Sequence, residues 1–295
     1  MYVIKPNPIT DAVLVSSTVP EVDYAAWSAP ATYAVGDRVI RTTTHRIYEA
    51  LVPGSSETPP ESAPTRWVSV GSTNRWRMLD SEVGSVTTAT SSLTVILSPG
   101  YATALALLEL DAQSITITVR DPSNVITYTT TRSLDNSVLL SWYDYFYTDP
   151  VARSEVVFSN LSIGVGYTVA VTLTGSIVEC GALVVGEATD LGAAEYGAGL
   201  GIIDYSRKET DEFGVTSITK RKYAKRLSVK LAFERAQMNL VFRTLASLRS
   251  TPCVFVTTEA DYYESMTVYG FWKDFRIDVS YPTMNNCTLE VEGLI

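Results

Sequence analysis

The chain has 295 residues, 46% of them hydrophobic and 19% charged, with a formal net charge of −9. That length exceeds the usual single domain, the apolar content is ample for more than one core, and the acidic balance argues against nucleic acid or an anionic membrane as the partner of the whole chain. The odd set Cys180, Cys253 and Cys287 has no metal-like spacing and reads as buried thiols; the first residues lack a secretory pattern, and no apolar run is long enough for membrane insertion, so the chain reads as soluble and assembled in a cytoplasm.

Residues 1–23 contain Pro6, Pro8 and Pro20, which cannot donate to a ladder and favour extended backbone. The segment reads as an extended N-terminal arm lying on a neighbour or on the next domain, with a frayed terminus as the plainer alternative.

Residues 24–76 are dense in aromatics and turn residues: Trp27, Tyr33 followed by Gly36-Asp37 and Val39, Tyr48-Glu49-Ala50, Pro59-Pro60 and Trp67. The physical expectation is a miniature three-stranded sheet whose aromatics make up for a small core, with His45 at a hairpin turn. In order and spacing the segment resembles small chitin- and cellulose-binding modules. The resemblance implies a platform for a glycan or partner at Trp27, Tyr33, Tyr48 and Trp67, beside the alternative that these rings serve packing or docking.

Residues 77–179 read as a jelly-roll-like β-sandwich. The stretches 92–97, 114–119 and 167–173 alternate with period two, and turn chemistry falls between them at Asp121-Pro122-Ser123-Asn124 and Asp135-Asn136. The run Trp142-Tyr143-Asp144-Tyr145-Phe146-Tyr147 holds five aromatics around one carboxylate. As a strand it would point Tyr143, Tyr145 and Tyr147 one way and Trp142, Asp144 and Phe146 the other, a face suited to a sugar, a protein or an ordinary sandwich edge.

In residues 180–295 a helix is expected over about 232–248, with Phe233, Leu240, Val241, Leu245 and Leu248 as its apolar stripe and Pro252 beyond its end. Strands are expected at 253–257, 266–271, 274–279 and 287–292. The stretch 204–230 is the one basic segment, with Arg207, Lys208, Lys220, Arg221, Lys222, Lys225, Arg226 and Lys230 against four acids. It reads as a solvated hairpin face, as a contact with the acidic surface of an adjacent subunit, or as lumen lining; among the functional readings the first seven of these bases favour the subunit contact.

Catalysis has little support. The lone histidine has no Gly-x-Ser-x-Gly serine to accompany it, His and Cys are too few for zinc, no carboxylate pair is singled out, and Gly197, Gly199 and Gly201 lack the spacing and context of a nucleotide loop. No catalytic residue, metal or cofactor is expected.

The ordered set Cys180-Gly181-Ala182-Leu183-Val184-Val185-Gly186, Tyr196-Gly197-Ala198-Gly199-Leu200-Gly201, Asp204-Tyr205-Ser206-Arg207-Lys208, Lys220-Arg221-Lys222-Tyr223, the expected helix, Arg249-Ser250-Thr251-Pro252, Tyr269-Gly270-Phe271-Trp272-Lys273-Asp274-Phe275 and Leu289-Glu290-Val291-Glu292-Gly293-Leu294 resembles the distal tail proteins of long-tailed bacteriophages. That resemblance implies a mainly β chain ending in a tail-tube-like β-sandwich with one flanking helix. It implies a virion component at the tail tip, a homo-oligomeric, six-fold ring joining the tail tube protein to hub or baseplate proteins. DNA would pass through the lumen only as cargo, and the outward domains would meet tail fibres or host glycans. The second reading is a carbohydrate-binding host-adhesion protein of the tail tip.

Overall fold

The computed structural model describes residues 1–295 apart from 56, 81, 83, 138–140, 148–151, 261, 262, 280 and 295, and for 144 and 145 it describes the backbone alone. The protein is mainly β, with large antiparallel sheets and a helix flanking the C-terminal sheet. In chain order, β1 (Tyr2–Pro6) and β2 (Leu14–Ser17) lie within the first segment. The small module follows with β3 (Thr32–Tyr33), β4 (Arg38–Arg41), β5 (Arg46–Ala50), β6 (Gly54–Ser55) and β7 (Trp67–Ser72). Strands β4, β5 and β7 form its three-stranded sheet, and β3 pairs with β6.

The sandwich is built from β8 (Thr87–Leu97), β9 (Ala104–Asp111), β10 (Ser114–Arg120), β11 (Ile126–Ser133), helix α1 (Trp142–Tyr147), β12 (Glu155–Phe158) and β13 (Thr168–Asp190). The alternation read in the sequence sets its faces. Ile115, Ile117 and Val119 of β10 and Val169, Val171 and Leu173 of β13 all point into one core. The outward threonines of β10 meet those of β11, Thr116 with Thr131 at 2.9 Å and Thr118 with Thr129 at 3.2 Å.

Strand β13 does not stop at the edge of the sandwich. Its first half pairs with β8 and β10, a register shift falls between Thr174 and Ile177, and its second half pairs with β9 and then β1. Past the shift alternation gives way to burial on both faces: Leu183 and Val185 join the sandwich core, while Ala182 and Val184 join a second cluster with Ile4, Val254 and Val256. Such a corner strand is how one sheet passes from layer to layer. A boundary at 179/180 therefore falls inside a continuous strand.

The C-terminal unit adds β14 (Ala193–Ala194), β15 (Gly199–Asp204), β16 (Arg207–Thr210), β17 (Thr216–Thr219), β18 (Tyr223–Glu234), α2 (Met238–Ser247), β19 (Cys253–Val256), β20 (Thr267–Asp278) and β21 (Met284–Gly293). Its core gathers Leu227, Val229, Leu231 and Phe233 from β18 with Val241, Leu245 and Leu248 of the helical segment, and the Trp272 indole N–H donates to the Leu245 carbonyl at 2.9 Å. All three cysteines are buried and free. Burial pushes their thiols up, Cys253 and Cys287 to about 11.

Four expectations change. The start of the chain is not a frayed terminus, and it is built in more deeply than an arm lying on the next domain, because β1 lies between β13 and β19, antiparallel to both, with Val3 in the C-terminal core and Ile4 in the cluster on the opposite face. The helix is shorter than 232–248: Phe233 keeps the period-two phase of β18, a tight turn over Arg235–Gln237 intervenes, and Leu240 is exposed. The stretches 266–271 and 274–279 belong to one strand, β20, whose register shift between Trp272 and Asp274 breaks the alternation. Residues 142–147 form a helix, not a strand; a run in which nearly every residue is aromatic lacks the polar contrast that separates a period of 2 from one of 3.6.

The insertion of β1 has a measurable consequence. Ile4 is fully buried, so Ile4→Ala should lower unfolding free energy by about 2–5 kcal/mol in urea melts. A Cβ on Gly186 would sit 1.8 Å from the Lys5 carbonyl oxygen, so Gly186→Ala should also lower the urea midpoint by forcing β1 away from β13.

Candidate interaction surfaces

The aromatic platform expected in the small module turns out to be largely its interior. Tyr48 and Trp67 are buried with Val39 and Ala50, and Trp27 and Tyr33 pack against them half-buried. Tyr33 meets Trp67 edge-on at 5.0 Å, its hydroxyl accepts from the Ser28 N–H at 2.8 Å, and the Arg41 guanidinium covers Trp27 at 4.9 Å. Tyr48 and Trp67 thus present no open ring face to a sugar. A sheet this small has only its aromatics with which to build a core.

The exposed rings of the 142–147 run lie on α1. Trp142 is 80% and Tyr147 74% exposed, and Tyr143 and Phe146 are exposed as well. Helical spacing brings Tyr143 and Tyr147 together, with ring centroids 4.8 Å apart, in place of the alternating tyrosine face. The side chains of Asp144 and Tyr145 lie outside the described residues.

The basic segment divides in two. Every residue from 207 to 223 is exposed, and β16 and β17 pair only with each other. Arg207 bonds to Glu209 within this ribbon at 2.6 Å, while Lys208, Lys220 and Arg221 stand on its surface. Lys222 lies over Gly84, Lys225 is paired with Glu155 of the sandwich, and Arg226 holds Glu290 at 3.0 Å. The same ribbon carries exposed apolar side chains that the sequence reading passed over. Phe213 is 90% and Ile218 71% exposed, and Val215 is exposed too; off the ribbon, Ile202 of β15 is likewise exposed. The signal was present as apolar residues interspersed in a polar, basic stretch, but charge masked it.

Where the sandwich meets the C-terminal unit there is a cleft of about 440 Å³, lined by Leu108, Ala182 and Val268 on its apolar side and by Glu109, Glu155 and Lys225 on its polar side. Glu109 has left-handed backbone, φ 52°, and stands opposite Gly181 in the β9–β13 ladder, where a Cβ on the glycine would lie 2.6 Å from its side chain. The Glu155 side chain keeps only 10% of its surface, one carboxylate oxygen binds Lys225, and the other is buried without a hydrogen-bond partner. Burial pushes this carboxyl above its ordinary value, Lys225 pulls it back, and Glu264 and Glu109 push it up further. Among the described residues no group of three or more His, Cys, Asp or Glu is placed to hold a metal ion, and no helix is long and apolar enough to cross a membrane.

Comparison with known proteins gives no assignment: no protein-family model matches the chain, and no curated protein matches it in sequence.

The Glu155 environment makes stability depend on pH with a definite sign. A carboxyl that holds its proton more tightly folded than unfolded contributes stability that is complete below the ordinary value of 4.5 and is lost as pH rises through the higher folded value. Glu155→Gln keeps the shape and removes the charge, so in urea melts the variant should gain on the wild type as pH rises above the ordinary carboxyl value of 4.5. A flat difference would show that Lys225 cancels the effect of burial, and one that runs the other way that Lys225 outweighs it.

Proposed function

We propose that the chain is a structural subunit of a phage tail tip, a distal-tail-type protein whose C-terminal unit assembles into a ring between tail tube and baseplate. The observation that carries this reading is the ribbon around β16 and β17, which displays Phe213, Val215 and Ile218 with no layer of its own chain over them. A two-stranded hairpin standing alone in water is marginal. Large apolar side chains on such a ribbon are accounted for when a neighbouring subunit covers them, and Lys208, Lys220 and Arg221 suit the acidic surface of a sister copy in a chain of net charge −9. A subunit that offers a ribbon on one side and receives one on the other makes a heterologous contact, which closes into a ring when the rotation divides a full turn. The ordered motifs quoted for 180–295 support the same reading. In such a ring the small module and α1 would face outward, toward fibres or the host surface, with DNA passing through the lumen as cargo.

Negative-stain microscopy and mass photometry of the protein, alone and co-expressed with its neighbouring tail proteins, should reveal closed rings. Phe213→Ser combined with Ile218→Ser should abolish them while leaving the melting temperature of the subunit nearly unchanged, since both residues are exposed. Monomers alone at high concentration with the tail partners present would overturn the reading.

The adhesion reading is favoured by a separate observation, the open rings of α1, which could stack on sugars through their apolar faces. On a bacterial-surface glycan array, binding lost in Trp142→Ala but kept in Trp27→Ala would assign it to α1, and a blank array would remove it.

A further inference from the structure

The small module has its own core, separate from that of the sandwich, and the junction between them is polar. At its centre is His45, the single histidine of the chain, on the turn between β4 and β5. Its Nδ1 lies 3.0 Å from Glu21 Oε1 and its Nε2 2.9 Å from Asp11 Oδ1. Both carboxylates belong to the segment that β2 fastens to β8 of the sandwich. The ring stacks on Trp76 at 4.0 Å and 19°, and Trp76 is buried in the sandwich core. Around it the Thr73 N–H donates to the His45 carbonyl at 2.9 Å, the Thr73 hydroxyl donates to Glu21 at 3.0 Å, and the Asn74 N–H donates to Asp23 at 3.0 Å.

Carboxylates only accept, so a ring nitrogen facing one must carry a proton. A neutral imidazole has one N–H and can satisfy Glu21 or Asp11 but not both; only the doubly protonated ring donates to each, and its charge also suits the indole face beneath it. We propose that His45 is a proton-operated latch that fixes the aromatic module to the sandwich through Asp11 and Glu21. Other charges also stand at the junction: Arg77 lies 3.9 Å from Asp23, Arg46 of the adjoining strand binds Glu82 at 2.7 Å, and on the turn that carries Trp76 the half-buried Arg75 and Asp80 each keep one side-chain atom buried without a hydrogen-bond partner, burial pushing the Asp80 carboxyl up. No cation other than the imidazolium is paired with Glu21 or Asp11 among the described residues. The Glu21 contact is sheltered, with 9% of that side chain exposed, whereas Asp11 is 74% exposed, so salt weakens the outer contact first. The sign follows from the donor count. The doubly protonated ring is the latched state, and the module loosens when the ring gives up one of its two protons, because one carboxylate then loses its donor.

Hydrogen exchange of the full-length chain tests this at two reporter amides, Thr73 and Asn74, with Val171 and Leu173 of the sandwich core as controls. After correction for intrinsic exchange, protection at the reporters should fall about tenfold between about pH 5.5 and about pH 8, the worth of one charge-assisted hydrogen bond, while the controls hold. His45→Asn suits the left-handed turn at φ 54° but is too short to bridge two carboxylates, so its reporters should be weakly protected at both pH values. Equal reporter protection at both pH values in the wild type overturns the latch, as does strong, pH-independent protection in His45→Asn. Should the variant lose its control protection, the wild-type pH series alone decides.

Discussion

Everything in this molecule hangs on a strand that belongs to more than one core. Strand β13 enters as a half-buried strand of the sandwich and leaves as a strand buried on both faces, with β9 on one side and β1 on the other. Because β1 is also hydrogen-bonded to β19, the two apolar clusters that meet across it cannot separate without breaking main-chain ladders as well as exposing Ile4, Val184 and Val254. Burial and ladder reinforce each other there. Sandwich and C-terminal unit are consequently one mechanical body, and the place where they join tolerates no added atom at Gly186.

That rigidity explains how a half-satisfied carboxylate can persist nearby. Glu155 and Lys225 face each other across the cleft from strands whose positions are set by the ladders on either side, β12 on β9 and β18 on β21. A pair in this setting contributes little net stability, because desolvation of the carboxylate offsets the attraction. What it supplies is register, since Lys225 must meet Glu155 and not the neighbouring sandwich carboxylate Glu109 when the two units come together. The ion pair is thus better regarded as an alignment device than as a fastening.

The parts of this fold that were legible in the sequence are those whose pattern is local. Ile115, Ile117 and Val119 alternate cleanly and are buried cleanly; the turn at His45 and the three strands of the small module follow from a short run of text. The parts that were illegible depend on partners far along the chain. Pro6 argues against a central strand when read alone, yet it is the last residue of β1, and the ladder it joins ends at Gly186. Likewise Phe233 fits a helical stripe by spacing, and only the cross-strand partner Asn285 keeps it in β18. For candidate surfaces the difficulty was chemical. Trp67 and Trp142 are the same residue type in aromatic-rich text, and one is a core while the other is a surface because the small module needed a core and α1 did not.

The two joints of the molecule obey different physics, and the difference bears on what each can do. Between sandwich and C-terminal unit the contact is mainly apolar and laddered, and protons and salt act on it through the ion pairs at its edge, Glu155 with Lys225 and Arg153 with Glu264. Between sandwich and aromatic module the contact is a knot of carboxylates around one imidazole, held by hydrogen bonds whose number depends on a single proton. A ring component must keep its geometry under load, which the first joint provides. Were the module to project toward fibres or surfaces as proposed, a titratable joint would let its orientation adjust. Placing the chain's one histidine at the second joint and none at the first divides the protein into a part that holds shape and a part that responds.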